Sequence, residues 1–161
     1  MQWQQICDNP LFRDMPFKFE TNCRGQIVMS PATNQHGLYQ ARIVRWLSTL
    51  LTGGEPLVEC GIQTAEGVKV ADVAWGSTAF FKRNCRANPY QEAPEIVVEI
   101  LSPSNTTEEM NEKKQLYFAI GAQEFWQCDS TGNLDFFNRD GVLSASRLAP
   151  LFPVSIESDD A

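Results

Sequence analysis

Apolar and polar residues alternate with a period of two through Phe17-Lys18-Phe19-Glu20-Thr21, and a second apolar run, Gln26-Ile27-Val28-Met29, follows the turn sequence Asn22-Cys23-Arg24-Gly25. Strand, turn and strand predict an opening β-hairpin, punctuated by Ser30-Pro31-Ala32-Thr33-Asn34. The period then lengthens. From about Gln35 to Leu51, the residues Leu38, Ala41, Ile43, Val44, Leu47, Leu50 and Leu51 recur at helical spacing, with Gly53-Gly54 as the stop. Leu57–Cys60 and Val68–Trp75 return to strand character and join around Glu66-Gly67. Ahead of Pro10 the pattern allows an irregular segment with one short turn. Gly76 to Ala93, with Asn, Pro and basic residues but no period, is expected to be a surface excursion.

The stretch Pro94–Pro103 stands apart. Its Val/Ile block is too short and too continuous for an amphipathic helix and reads as a strand buried on both faces. Beyond it, Thr106 and Glu109 have capping-box spacing, and Glu108 and Glu109 suit the positive end of a helix from about Thr107 to Ile120, ended by Gly121. Glu124–Cys128 and Leu134–Phe137 predict another hairpin across Asp129–Asn133, and the tail 157–161 is expected to be disordered. This order of elements predicts an α/β (α+β) domain, a central mixed β-sheet flanked by helices with β-hairpin additions, spanning 1–161 as one unit.

Composition narrows the function classes. With 161 residues, 43% of them hydrophobic and 20% charged, the chain can bury a core without staples. No apolar run nears the roughly 20 residues of a bilayer crossing, and Met1–Ile6 lacks the regions of a secretion signal, so a cytoplasmic protein without membrane contact is expected. Cys7, Cys23, Cys60, Cys85 and Cys128 are odd in number and lack C-x-x-C spacing, which speaks against a disulfide framework or a zinc knuckle. His36, the single histidine, cannot furnish a His-rich site, so any metal would be a hard ion on oxygen ligands, magnesium or manganese. A net charge of −7 argues against binding nucleic acid over the whole surface, though a local basic groove stays open. Lys82, Arg83 and Arg86 gather near Phe80 and Phe81, and Arg42 and Arg45 share a helix; solvated surfaces are the plainer reading of both groups.

Two carboxylates interrupt apolar strands: Glu99 in the central one and Asp72 in Val70–Trp75. An unpaired charge in such a setting costs roughly several kcal/mol, so each needs a partner. Side by side on one face, both could share a divalent ion at about 2.1 Å; a structural buried pair, or one neutral acid, is the alternative. Alternation puts Glu95, Val97, Glu99 and Leu101 on one face, and the position two beyond Glu99, natural for a cation that orients water and offsets phosphate charge, holds Leu101. Lys113, with Leu116, Tyr117 and Ile120 at helical spacing, falls on the inward stripe of the second helix, while Lys114 turns away. Snorkelling to water beside Glu109 is an equally open reading of Lys113. Glu20 is a fourth candidate acid which, taken alone, reads as an exposed strand residue.

Ala71-Asp72, Glu99-Ile100-Leu101-Ser102-Pro103-Ser104, Glu112-Lys113-Lys114-Gln115-Leu116-Tyr117 and Gly121–Trp126, with Phe19-Glu20 through Pro31, resemble the Uma-two family of bacterial restriction endonucleases in the PD-(D/E)XK nuclease superfamily. The resemblance covers most of the chain. It implies a restriction-endonuclease-like fold in which Asp72 and Glu99 match metal-binding acids, Lys113 matches a lysine moved from strand to helix, and Glu20 matches an acid of the opening hairpin. Ala71 stands where a proline is usual. Leu101 stands where the superfamily has lysine, so catalysis would depend on the helix lysine. The implied activity is magnesium- or manganese-dependent endonucleolytic hydrolysis of DNA. Asp72 and Glu99 would hold the ion that activates water, and Lys113 would steady the phosphorane charge. Nucleases of this superfamily often cut two strands with two copies, so the resemblance leaves a homodimer open as the assembly. Two other functions stay open: a binding or scaffold domain without turnover, in keeping with the acidic surface and Leu101, and hydrolysis of a small phosphorylated substrate.

Overall fold

The computed structural model describes residues 2–157. Its elements are α1 (Trp3–Cys7), β1 (Phe17–Thr21), β2 (Ile27–Pro31), α2 (Asn34–Leu50), β3 (Gly54–Thr64), β4 (Gly67–Ser77), α3 (Thr78–Asn84), β5 (Ile96–Ile100), α4 (Thr107–Ala119), β6 (Glu124–Cys128), β7 (Leu134–Asn138) and β8 (Gly141–Leu143). Strands β3 to β8 form a six-stranded sheet in sequence order, and β1–β2 is a separate hairpin. Strand β5 runs parallel to β6 while the other pairs are antiparallel, so the sheet is mixed. A parallel pair needs a crossover, and α4 supplies it.

All five residues of β5 are buried, the four apolar ones as the sequence pattern requires and Glu99 with them. Ile96, Val98 and Ile100 pack with Tyr39, Ile43 and Leu47 of α2 and with Trp126 and Phe136. On the opposite face Val97 joins Ala74, Phe125 and the α4 residues Tyr117 and Phe118. Thr33 caps α2 by accepting from the His36 N–H at 3.2 Å, and Thr106 caps α4 by accepting from the Glu109 N–H at 3.1 Å. The second half of the capping box does not form, because the Glu109 carboxylate accepts from Asn105 Nδ2 at 3.2 Å instead.

The segment expected as a surface excursion contains α3, whose Phe80 is buried, and Arg83 there pairs with Glu92 at 2.8 Å. Seven residues are too few to establish a period, which is why the helix escapes pattern reading. Strands β3 and β4 outrun their apolar centres because backbone pairing continues from Gly54↔Ser77 to Thr64↔Gly67. Of the tail expected to be disordered, residues 158–161 lie outside the described ones, whereas Glu157 accepts a 2.8 Å hydrogen bond from the Tyr39 hydroxyl. Among the described residues no helix is long and apolar enough to cross a membrane.

The β1–β2 hairpin lies against β4. Val68 N–H donates to Thr21 Oγ1 at 2.8 Å and Val70 N–H donates to Glu20 Oε1 at 2.9 Å. Gly67 makes this approach feasible: its φ is +92°, and a Cβ there would lie 2.6 Å from the Thr21 carbonyl oxygen. The docked hairpin presents β1 side chains to β4 and β5.

Candidate active site

The antiparallel register Val73↔Val98, continued by one residue, sets Asp72 across from Glu99. Both are buried, at 1% and 3% exposure, and both reach a cavity of about 110 Å³ that Lys18, Glu20, His36, Glu59 and Lys113 also line. The four candidate residues Asp72, Glu99, Lys113 and Glu20 therefore meet at one place. Lys113 Nζ lies 2.9 Å from Glu20 Oε1 and 3.5 Å from both Glu99 oxygens, which replaces the reading of a lysine snorkelling beside Glu109. Glu20 is 9% exposed, so the hairpin acid is not the exposed strand residue that its local sequence indicates. Lys114 does turn away, resting over the Phe137 ring at 4.3 Å. Leu101 lines a neighbouring cavity and brings no cation.

Residues that the sequence reading passed over complete the site. Lys18 Nζ stands 2.6 Å from Asp72 Oδ1, 3.5 Å from Glu99 Oε2 and 3.9 Å from Glu20 Oε1. His36 Nε2 approaches Asp72 Oδ1 to 3.2 Å, and the Tyr117 hydroxyl donates to Glu99 Oε1 at 2.8 Å. Gln40 Nε2 donates to Glu59 Oε1 at 2.6 Å and to the Asp72 carbonyl at 3.0 Å. A signal for Lys18 was present: period-two alternation places it on the same face of β1 as Glu20, so one inward residue implies the other.

The electrostatics separate the acids. Burial works against ionised Asp72, but Lys18 and His36 hold its carboxyl well below the usual range. At Glu99 burial prevails over the attraction of Lys113 and Lys18 and raises the carboxyl above its ordinary value. Burial also opposes charge on Lys18, yet Glu99, Asp72 and Glu20 together keep its ammonium above the normal lysine value. Lys113 follows the same logic, raised chiefly by Glu99 against its burial. The hydrogen bond to Asp72 raises His36 despite desolvation.

The donor chemistry fits a hard divalent ion. Five carboxylates (Glu20, Glu59, Asp72, Glu99 and Glu109) line the cavity against two ammoniums and one imidazole, an excess of oxygen ligands over cationic partners. His36, Glu59 and Asp72 each bring a ligand atom within 4.8 Å of the others, so nitrogen is available beside oxygen. Glu59 reaches this group from a residue with φ of +51° in β3, a left-handed conformation unusual for a side-chain-bearing residue.

A mixed sheet with flanking helices, whose adjacent central strands carry the two acids, is the restriction-endonuclease-like fold. A solved relative shares it: the crystal structure of a "putative nuclease belonging to DUF820" from Anabaena variabilis superposes with a TM-score of 0.67 at 18% identity, covering 86% of this chain and 87% of that one. The chain belongs to the Uma2 (Uma-two) family, described as "Putative restriction endonuclease", whose model matches residues 3–147. Comparison with curated proteins gives no match.

Proposed function

We propose that this chain is a divalent-metal-dependent endonuclease that hydrolyses phosphodiester bonds in DNA, with magnesium or manganese held by Asp72 and Glu99. The observation that carries the reading is the convergence of these acids and the Lys113 ammonium on one cavity, in a chain whose family is described as "Putative restriction endonuclease". The ion supplies Lewis acidity at the phosphate and a water of lowered pKa. Asp72 spends Oδ2 on the Ile100 N–H at 2.7 Å, which fixes the carboxylate and aims Oδ1 into the cavity. Tyr117 fixes Glu99 in the same manner. Lys113, catalytic in this reading, offsets charge developing on the transferred phosphoryl group. Glu20 is a positioning residue: anchored by the Val70 N–H, it holds Lys113 at 2.9 Å. Two copies of the chain, each with one such site, would cut both strands of a duplex.

A net charge of −7 favours a second reading, hydrolysis of a small phosphorylated substrate, which suffers less repulsion than a duplex. One assay separates them: supercoiled plasmid and a small phosphodiester are each incubated with wild type and Asp72→Asn in magnesium or manganese. Nicking or linearisation by wild type alone supports the endonuclease. Turnover of the small diester alone supports the second reading, and no turnover of either removes both.

A further inference from the structure

Lys18 contacts both of the acids that the proposed ion would need. Its Nζ lies between Asp72 Oδ1 at 2.6 Å and Glu99 Oε2 at 3.5 Å. An ion held by those carboxylates would need the oxygens that the ammonium now contacts, and two cations packed into one small buried pocket repel each other strongly. We propose that Lys18 is a tethered counter-cation, so that loading of a divalent ion and release of Lys18 are a single exchange. The inference rests on the metal reading above, but not on cleavage of DNA.

The fold allows the exchange without moving the hairpin. The β1 backbone stays pinned through Glu20 to Val70 and through Thr21 to Val68, so only the Lys18 side chain has to turn. Its side chain is 13% exposed, against 8% for Lys113, which Glu20 grips from the other side. Once released, Lys18 remains on the cavity wall two residues from Glu20. It then adds a second ammonium to Lys113 for an incoming phosphate, a function that Leu101 cannot serve. Without an ion, the same lysine spares Asp72 and Glu99 from facing each other as uncompensated buried charges.

The test is calorimetric titration of Mn²⁺ alone into wild type, Lys18→Met, Lys18→Arg and Lys69→Met. Lys69 donates to the Thr21 carbonyl and does not line the cavity, so its variant controls for the change in net charge. Lys18→Met is expected to bind Mn²⁺ about tenfold tighter than wild type or better, Lys18→Arg near wild type, and Lys69→Met within about twofold. If Lys18→Met is poorly folded without metal, its melting temperature is measured with and without Mn²⁺; a larger rise than wild type supports the exchange. Equal or weaker binding by Lys18→Met, or equal tightening by Lys69→Met, overturns the inference and leaves the nuclease reading intact. Tighter binding by Lys18→Met with no cleavage of DNA keeps the exchange and removes the nuclease. Absence of binding in all four proteins overturns the exchange together with the metal site.

Discussion

Glu99 and Glu124 are both buried carboxylates on neighbouring parallel strands, 3% and 2% exposed, yet their surroundings are opposite. Glu124 is closed by neutral donors: Trp126 Nε1, Ser146 Oγ and the Arg147 N–H at 2.7 Å and the Leu148 N–H at 2.9 Å. Those bonds use its acceptor capacity and fasten the segment after β8 to the sheet. Glu99 instead takes one neutral donor, Tyr117, and shares two ammoniums with Asp72 and Glu20 beside a cavity. Burial of a carboxylate marks only a cost. What meets that cost distinguishes a structural acid from one able to exchange partners.

The comparison breaks first at activity. Asp72→Asn and Glu99→Gln are expected to reduce DNA cleavage in magnesium to background, read by plasmid nicking, while circular dichroism shows the fold retained. For Glu99 the sign on stability is specific. Its folded pKa lies above the unfolded 4.5, so ionisation costs stability as pH rises beyond that value, and the permanently neutral Gln should melt no lower than wild type at pH 7. A sharp fall in melting temperature would place Glu99 with Glu124 as a structural acid.

Lys113→Met is expected to lower the single-turnover cleavage rate by about 10²–10³-fold, as for loss of one charge-stabilising donor. Glu124→Ala should do the reverse. It strands buried donors, so urea unfolding should report a loss of about 3 kcal/mol or more, with cleavage per folded molecule unchanged. The smallest effect is at Asp129, in the β6–β7 turn. Burial opposes its charge, but Asn133 and Thr131 lower its pKa, so its contribution is present above the unfolded 3.8 and lost as pH falls through the folded value. The stability gap between wild type and Asp129→Ala should therefore be about 1 kcal/mol at pH 7 and narrow on acidification.

Much of this was legible locally. Strand β5 showed itself by its short Val/Ile block between Pro94 and Pro103, α4 by its Thr106 cap, and the acids by interrupting apolar strands. The pairing of Asp72 with Glu99 follows only from the antiparallel register Val73↔Val98 between β4 and β5, which the sequence does not state. The role of Lys18 was not read, because it depends on the hairpin docking through Glu20 to Val70, 50 residues away, and a lysine in an alternating strand otherwise reads as solvated. Glu124 was read only as the start of a strand, since three of its four partners, all but Trp126, lie 22 to 24 residues on in a segment without a period. Helix α3 is anchored by Phe80 rather than announced by periodicity.

The most direct measurement of the central claim is a crystal soaked in Mn²⁺ and recorded for anomalous scattering. The account predicts a peak about 2.1–2.2 Å from carboxylate oxygens of both Asp72 and Glu99, with Lys18 turned out of its present position. A peak held by His36 and Glu59 without Glu99, or no peak while Lys18 keeps its 2.6 Å contact with Asp72, would contradict it.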